Sequence, residues 1–181
     1  MNVLLHPPIV KKIVWSDEAA TQAFARALAA SPAVANALIE LRGDLGAGKT
    51  TFARYLLAAL GVTSRIKSPT YAVVESYALT AAEQLRFVSG AGGVGGAEGS
   101  PGDSLSIWHF DFYRFNDPRE WEEAGFRELF ASPGLKLVEW AEKAGDYLPP
   151  RDLIVSIDVL PDDTRAVEVT ALTAVGAELL A

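Results

Sequence analysis

Gly43-Asp44-Leu45-Gly46-Ala47-Gly48-Lys49-Thr50 lies directly between an apolar run and a helical repeat, and no other segment of the 181-residue chain constrains its fold as tightly. The run before it, Ala37-Leu38-Ile39-Glu40-Leu41, is short and bounded by polar residues, the pattern of a buried strand. After it, Phe52, Tyr55, Leu56, Ala59 and Leu60 recur at helical spacing over Thr51 to Leu60, and Gly61 supplies a stop. The octapeptide fits G-x-x-x-x-G-K-[ST], the phosphate-loop pattern. Its residue types follow from the task of holding a phosphate. Glycines let the backbone curl so that successive N–H groups point inward, and the following helix aims its positive end at the same anion. Lys49 brings a point charge to the outer phosphates, and the Thr50 hydroxyl is placed for Mg2+. The strand, turn and helix together predict a nucleoside triphosphate cradled by residues 43–50 and by Thr51 behind them. The bland alternative is a glycine-rich turn with a surface lysine.

Such a loop needs a carboxylate at the end of a neighbouring strand for the metal. Asp111 ends the run Ile107-Trp108-His109-Phe110, and Glu139 closes Leu137-Val138 in the same way. The two could share the ion, or Glu139 could orient the attacking water. Sequence leaves that division open, alongside plainer readings: a solvated aspartate at a strand end and an ion pair between Glu139 and an arginine. Ser68-Pro69-Thr70-Tyr71 reads equally as turn chemistry and as a switch-like loop in which Thr70 senses the γ-phosphate or metal. His109 is expected to pack beside the site rather than act as a base, and His6 joins no metal cluster. Trp108, Trp121 and Trp140 read as core or interface aromatics. Arg114 could meet phosphate or, more plainly, an acidic neighbour.

The rest of the chain reads as a mixed sheet covered by helices. Ser16 is placed to cap a helix from Asp17 to Ala30. Tyr71 to Leu79 and Leu105 to Phe112 are rich in β-branched and aromatic residues and read as strands. Asp117-Pro118-Arg119-Glu120 opens a helix that runs to Phe130. Leu135 to Glu139, Leu153 to Val159 and Ala166 to Leu172 complete the strands, the last two joined by Pro161-Asp162-Asp163. Helices and strands alternate early and strands cluster late, which predicts an α/β domain with parallel and antiparallel pairs in one sheet. Residues 90–102 hold seven of the 15 glycines and read as a surface insertion, within about residues 88–104, in one domain over 1–181.

Composition narrows the partners. Sixteen Lys and Arg against 23 Asp and Glu give a net charge of −7, so RNA would reach this chain through a local basic patch or a partner rather than by bulk attraction. Zero cysteines exclude a disulfide scaffold, a thiolate metal site and a cysteine nucleophile. No apolar run approaches the roughly 20 residues of a membrane helix, and MNVLLHPPIVKK makes a poor signal peptide. A soluble protein of the cytoplasm is expected.

In this order the pieces resemble the TsaE (YjeE) family, P-loop ATPases of bacterial tRNA threonylcarbamoyladenosine biosynthesis. The matching stretches are LRGDLGAGKTTFARYLLAALG at 41–61, KSPTYAVVESY at 67–77, HFDFYR at 109–114, DPREWEEAGFRELF at 117–130 and LVEWAEKAGDYLPP at 137–150. The resemblance implies a mixed α/β P-loop domain and a set of roles by position. Thr50, Asp111 and Glu139 match the family's magnesium residues, with Glu139 also needed for hydrolysis. Lys49 matches the phosphate-binding lysine, Thr21 a threonine at the nucleotide's base, and Thr70 the threonine of the switch-like segment. Trp140 keeps the family's Glu-Trp pair. The family implies Mg2+-dependent ATP hydrolysis in association with the TsaB–TsaD pair, which modifies adenosine 37 of tRNAs reading ANN codons, so that tRNA is met indirectly. The insertion at 90–102 departs from compact relatives. Two other readings compete: a small-molecule kinase, weakened because residues 90–102 offer no Lys or Arg for a lid, and a nucleotide-dependent switch that does not hydrolyse.

Overall fold

Four apolar segments, alternately facing opposite layers, build the centre of the molecule. In the computed structural model, which describes residues 4–80 and 104–181, these are β2 (Leu38–Arg42), β4 (Leu105–Asp111), β5 (Leu135–Glu139) and β6 (Leu153–Val159). They lie parallel in the order β6-β2-β5-β4. Antiparallel strands extend both sides: β3 (Val74–Leu79) beside β4, and β7 (Arg165–Thr173) then β1 (Leu4–Trp15) beside β6. One mixed sheet flanked by helices is the fold read from the sequence.

Strand alternation divides the core into two layers. Ile39 and Leu41 of β2 and Leu135 and Leu137 of β5 face α1 (Glu18–Ala30), α2 (Lys49–Ala59) and α5 (Ala174–Leu180), packing with Leu28, Phe52 and Leu56. The opposite face carries Phe110 and Val138 against Phe112, Trp121, Phe126 and Phe130, whose helices are α3 (Arg119–Glu123) and α4 (Phe126–Ala131). Burial on both faces explains why the central strands read as continuous apolar runs.

Several boundaries differ from expectation, each for a local reason. Asp17, not Ser16, caps α1, its carboxylate accepting from the Ala20 N–H at 2.8 Å. The single helix expected over 117–130 is two, because Gly125 takes φ 72° between them. Its start keeps the expected reach-back, with Glu120 Oε1 accepting from the Asp117 N–H at 2.9 Å. β3 begins at Val74 rather than Tyr71, since Val73 turns to φ 67° and its N–H bonds back to the Pro69 carbonyl at 2.6 Å. β1 and α5 were not foreseen. The glycine-rich insertion at 88–104 lies, apart from Ser104, outside the described residues. No helix among the described residues is long and apolar enough to cross a membrane.

Candidate functional site

The parallel strands end at one level, and the sheet ladder decides which side chains meet there. Register places Asp111 opposite Glu139, and Glu139 opposite Leu41, one residue before the chain leaves β2 for the glycine turn. Both carboxylates are buried, at 3% and 2% exposure, and such groups need partners to offset their desolvation. Glu139 accepts from Thr50 Oγ1 at 2.9 and 3.0 Å and shares a 2.8 Å bond with His109 Nε2. These bonds replace the ion pair with an arginine considered from sequence. Asp111 accepts from Thr70 Oγ1 at 2.7 Å and from the Tyr113 N–H at 2.9 Å. Thr50 at the start of α2, Thr70 in the turn before β3, and the ends of β4 and β5 thus converge on one cleft, also lined by Gly46, Gly48 and Thr51.

Lys49 is 4% exposed. Its ammonium donates to the Gly43 and Asp44 carbonyls at 2.5 and 2.9 Å and lies 4.3 Å from the centre of the Trp140 ring. Burial lowers its pKa from the usual 10.5, opposed by the nearby Glu139 and Asp111 carboxylates. Gly43 and Asp44 therefore do not line the cleft; they contribute the carbonyls that hold this amine and border a separate depression with Arg151. Leu45 and Trp140 are at the cleft's rim, where Tyr113 packs on Trp140 with ring centres 5.0 Å apart. Trp140 itself sits at φ 57°, a left-handed conformation that costs a non-glycine residue roughly 1–2 kcal/mol. Among the described residues Arg114 meets neither phosphate-loop nor acidic group but lies 4.2 Å from the ring centre of Tyr71.

Gly43 shows why the loop's first position admits so little else. It has φ 139°, and a Cβ there would stand 2.4 Å from the Ile157 carbonyl oxygen of β6. Gly43→Ala is expected to lose about 3 kcal/mol, read as a melting temperature lower by roughly 6–12 °C in the intact chain. A melt unchanged from wild type would show that β6 moves aside freely.

A second cleft opens on the other side of the loop, sharing Gly46, Gly48 and Thr51 with the first. Thr21 and Ala47 lie here, with Trp15 and Asp17 on one wall and Asp163 and Arg165 on the other. Arg165 Nε reaches the Ala47 carbonyl at 3.4 Å. Sequence reasoning missed Trp15, Asp163 and Arg165, because each reaches the loop through long-range packing and none belongs to a local motif; Tyr113 lies within HFDFYR, but nothing local gave it a role.

The donor set suits a hard divalent cation. The Thr50 hydroxyl and the Asp111 and Glu139 carboxylates are all oxygen ligands, few in number, as Mg2+ prefers when it keeps water and takes phosphate oxygens. Among the described residues no group of three or more His, Cys, Asp or Glu side chains forms a metal cage, so a protein-only site for a softer metal is not present there.

Comparison with known proteins places the chain in a family. The family described as "Threonylcarbamoyl adenosine biosynthesis protein TsaE" matches residues 15–88 and 97–167. The tRNA threonylcarbamoyladenosine biosynthesis protein TsaE of Haemophilus influenzae is 36% identical over 143 residues, 79% of this chain and 75% of that protein. Its namesake from Bacillus subtilis is 33% identical over 165 residues, 90% of this chain and 88% of that one. The crystal structure of Bacillus subtilis YdiB superposes with a TM-score of 0.64 at 28% identity, covering 95% of this chain and 93% of the other.

Proposed function

The chain belongs to the TsaE family, and from that premise we propose that it binds and hydrolyses Mg2+·ATP in the cytoplasm for tRNA threonylcarbamoyladenosine synthesis. In this reading it acts with the TsaB–TsaD complex, which modifies adenosine 37 of tRNAs reading ANN codons. The observation that carries the chemistry is that two hydrogen-bonded pairs, Thr50 with Glu139 and Thr70 with Asp111, line one cleft at the mouth of the glycine loop. A nucleotide-binding loop alone explains Thr50. Two buried carboxylates held by hydroxyls at its mouth support a hydrolytic site.

The residues then divide the work. The base and ribose occupy the cleft of Thr21, Trp15 and Arg165, and the phosphates pass Gly46 and Gly48 into the second cleft. Lys49 leaves the Gly43 and Asp44 carbonyls for the outer phosphates, exchanging neutral acceptors for anionic ones. Thr50, Asp111 and Glu139 would hold Mg2+, which would neutralise charge on the phosphate oxygens. Glu139 orients the attacking water and accepts its proton. Thr70, bonded to Asp111, links the metal site to the turn at 68–73, and the positive φ of Val73 is the kind of stored strain a switch segment releases. Tyr113 and Trp140 shield the mouth from bulk water. The net charge of −7 suits a protein whose partners carry the RNA.

Among the described residues no arginine lines the phosphate cleft, and an arginine supplied in trans accelerates phosphoryl transfer by roughly 10³–10⁵ in related chemistries. Turnover by the isolated chain is therefore expected to be slow and to rise when TsaB–TsaD is added. Phosphate release measured with and without the pair checks this, and a pair that neither binds nor alters turnover would remove the assignment. With γ-labelled ATP the label is expected as free phosphate; label on an acceptor would make the chain a kinase.

A further inference from the structure

His109 is fully buried beside the site, at 0% exposure, and the division of labour above gives it no task. We propose that His109 is the positioning residue of the hydrolytic carboxylate: its Nε2–H fixes Oε1 of Glu139 and leaves Oε2 as the oxygen available to the attacking water. This rests on the reading of Glu139 given under the proposed function.

Three observations carry it. The Nε2 to Oε1 distance is 2.8 Å between a ring and a carboxylate that are both inside the protein, where a charge-assisted bond is strong and orienting. Thr50 cannot make the same choice, since its Oγ1, with one proton to donate, stands 2.9 Å from one oxygen and 3.0 Å from the other. The placement is also rigid. His109 pairs with Leu137 and Asp111 with Glu139 in a parallel ladder, so ring and carboxylate project from the same face of adjacent strands, one step apart.

A further fact separates this role from space-filling. Nδ1 of His109 is buried and has no hydrogen-bond partner among the described residues. A leucine or phenylalanine would fill the same volume without an orphaned polar atom. What histidine adds at this position is the Nε2 donor.

The chain has two histidines, His6 and His109, so ¹⁵N-resolved NMR of the imidazoles can be assigned by comparison with His6→Gln. The expected result is one ring with a slowly exchanging proton on Nε2, whose resonance moves in Glu139→Gln. A bare Nε2, or a signal indifferent to Glu139→Gln, overturns the proposal. In turnover assays His109→Leu is expected to lose kcat by about 10–100-fold, the scale of lost supporting contacts around a site, with KM for ATP within about threefold. His109→Gln, which retains a donor, is expected to recover most of that loss. Wild-type kcat in a folded Leu variant, or a Gln variant no better than Leu, counts against the assignment. Wild-type protein with the Nε2 bond present but no ATP turnover overturns the functional reading and leaves the hydrogen bond standing. Normal turnover with Nε2 bare overturns the His109 assignment alone.

Discussion

Glu139→Ala is expected to lose roughly a hundredfold or more in ATP turnover, the scale of a general base, while keeping nucleotide affinity within about threefold. The separation follows from where the carboxylate stands. It closes β5 at the level of the phosphate loop and is held from both sides by Thr50 and His109, whereas the phosphate-binding amides and Lys49 belong to the loop itself. Removing Glu139 leaves the buried His109 donor and the part-buried Thr50 hydroxyl without their acceptor, at a cost of about 1–3 kcal/mol. Glu139→Gln is the cleaner partner experiment, because it keeps an acceptor oxygen and the volume; its melting temperature is expected near wild type and its turnover near that of the alanine variant. Phosphate release paired with calorimetric titration of Mg·ATP separates the outcomes. Unchanged turnover in both variants would reassign the carboxylate to structure, and affinity lost in step with turnover would make it chiefly a metal ligand.

Lys49→Ala is expected to impair binding and turnover together. A charge-assisted contact contributes about 1.5–3 kcal/mol, so affinity should fall roughly 10–150-fold. Stability should move little, because the folded chain already bears the burial of this ammonium, as its lowered pKa records. Two main-chain carbonyls and the Trp140 face offset that burial in part. Lys49→Arg should not rescue the loss, since a planar guanidinium does not replace a compact ammonium in a site closed by Trp140. Equal affinity for Mg·ATP in the alanine variant would mean that the main-chain amides suffice to hold the phosphates.

What the sequence made legible was what is local. The phosphate loop announced itself because β2, the glycine turn and α2 are contiguous. Asp111 and Glu139 stood out because each follows an apolar run, and in a parallel sheet such ends gather on one side. The bonds that hold these carboxylates were not legible: His109 and Glu139 are 30 positions apart, and nothing in either strand alone gives the register. β1 was hidden because Pro7 and Pro8 suppress a strand signal and an edge strand exposes Ile9, Val10 and Val14. The wall formed by Asp163 and Arg165 looked like an ordinary hairpin turn, since only the neighbourhood of β6 and β2 carries it to Ala47.

Among the described residues β1 has a single neighbour in the sheet, β7. Trp15 and Asp17, at the end of β1 and the cap of α1, therefore face Arg165 across the second cleft only when β1 and β7 have been joined. During synthesis the glycine loop and its helix emerge long before Arg165 does, so a nascent chain halted short of β7 would present the loop without its second wall. Pairings so distant in sequence also slow folding. Competence to take up nucleotide would then arrive late and all at once, as a by-product of closing the sheet, and a ribosome-stalled series of lengths would show it as a step rather than a slope.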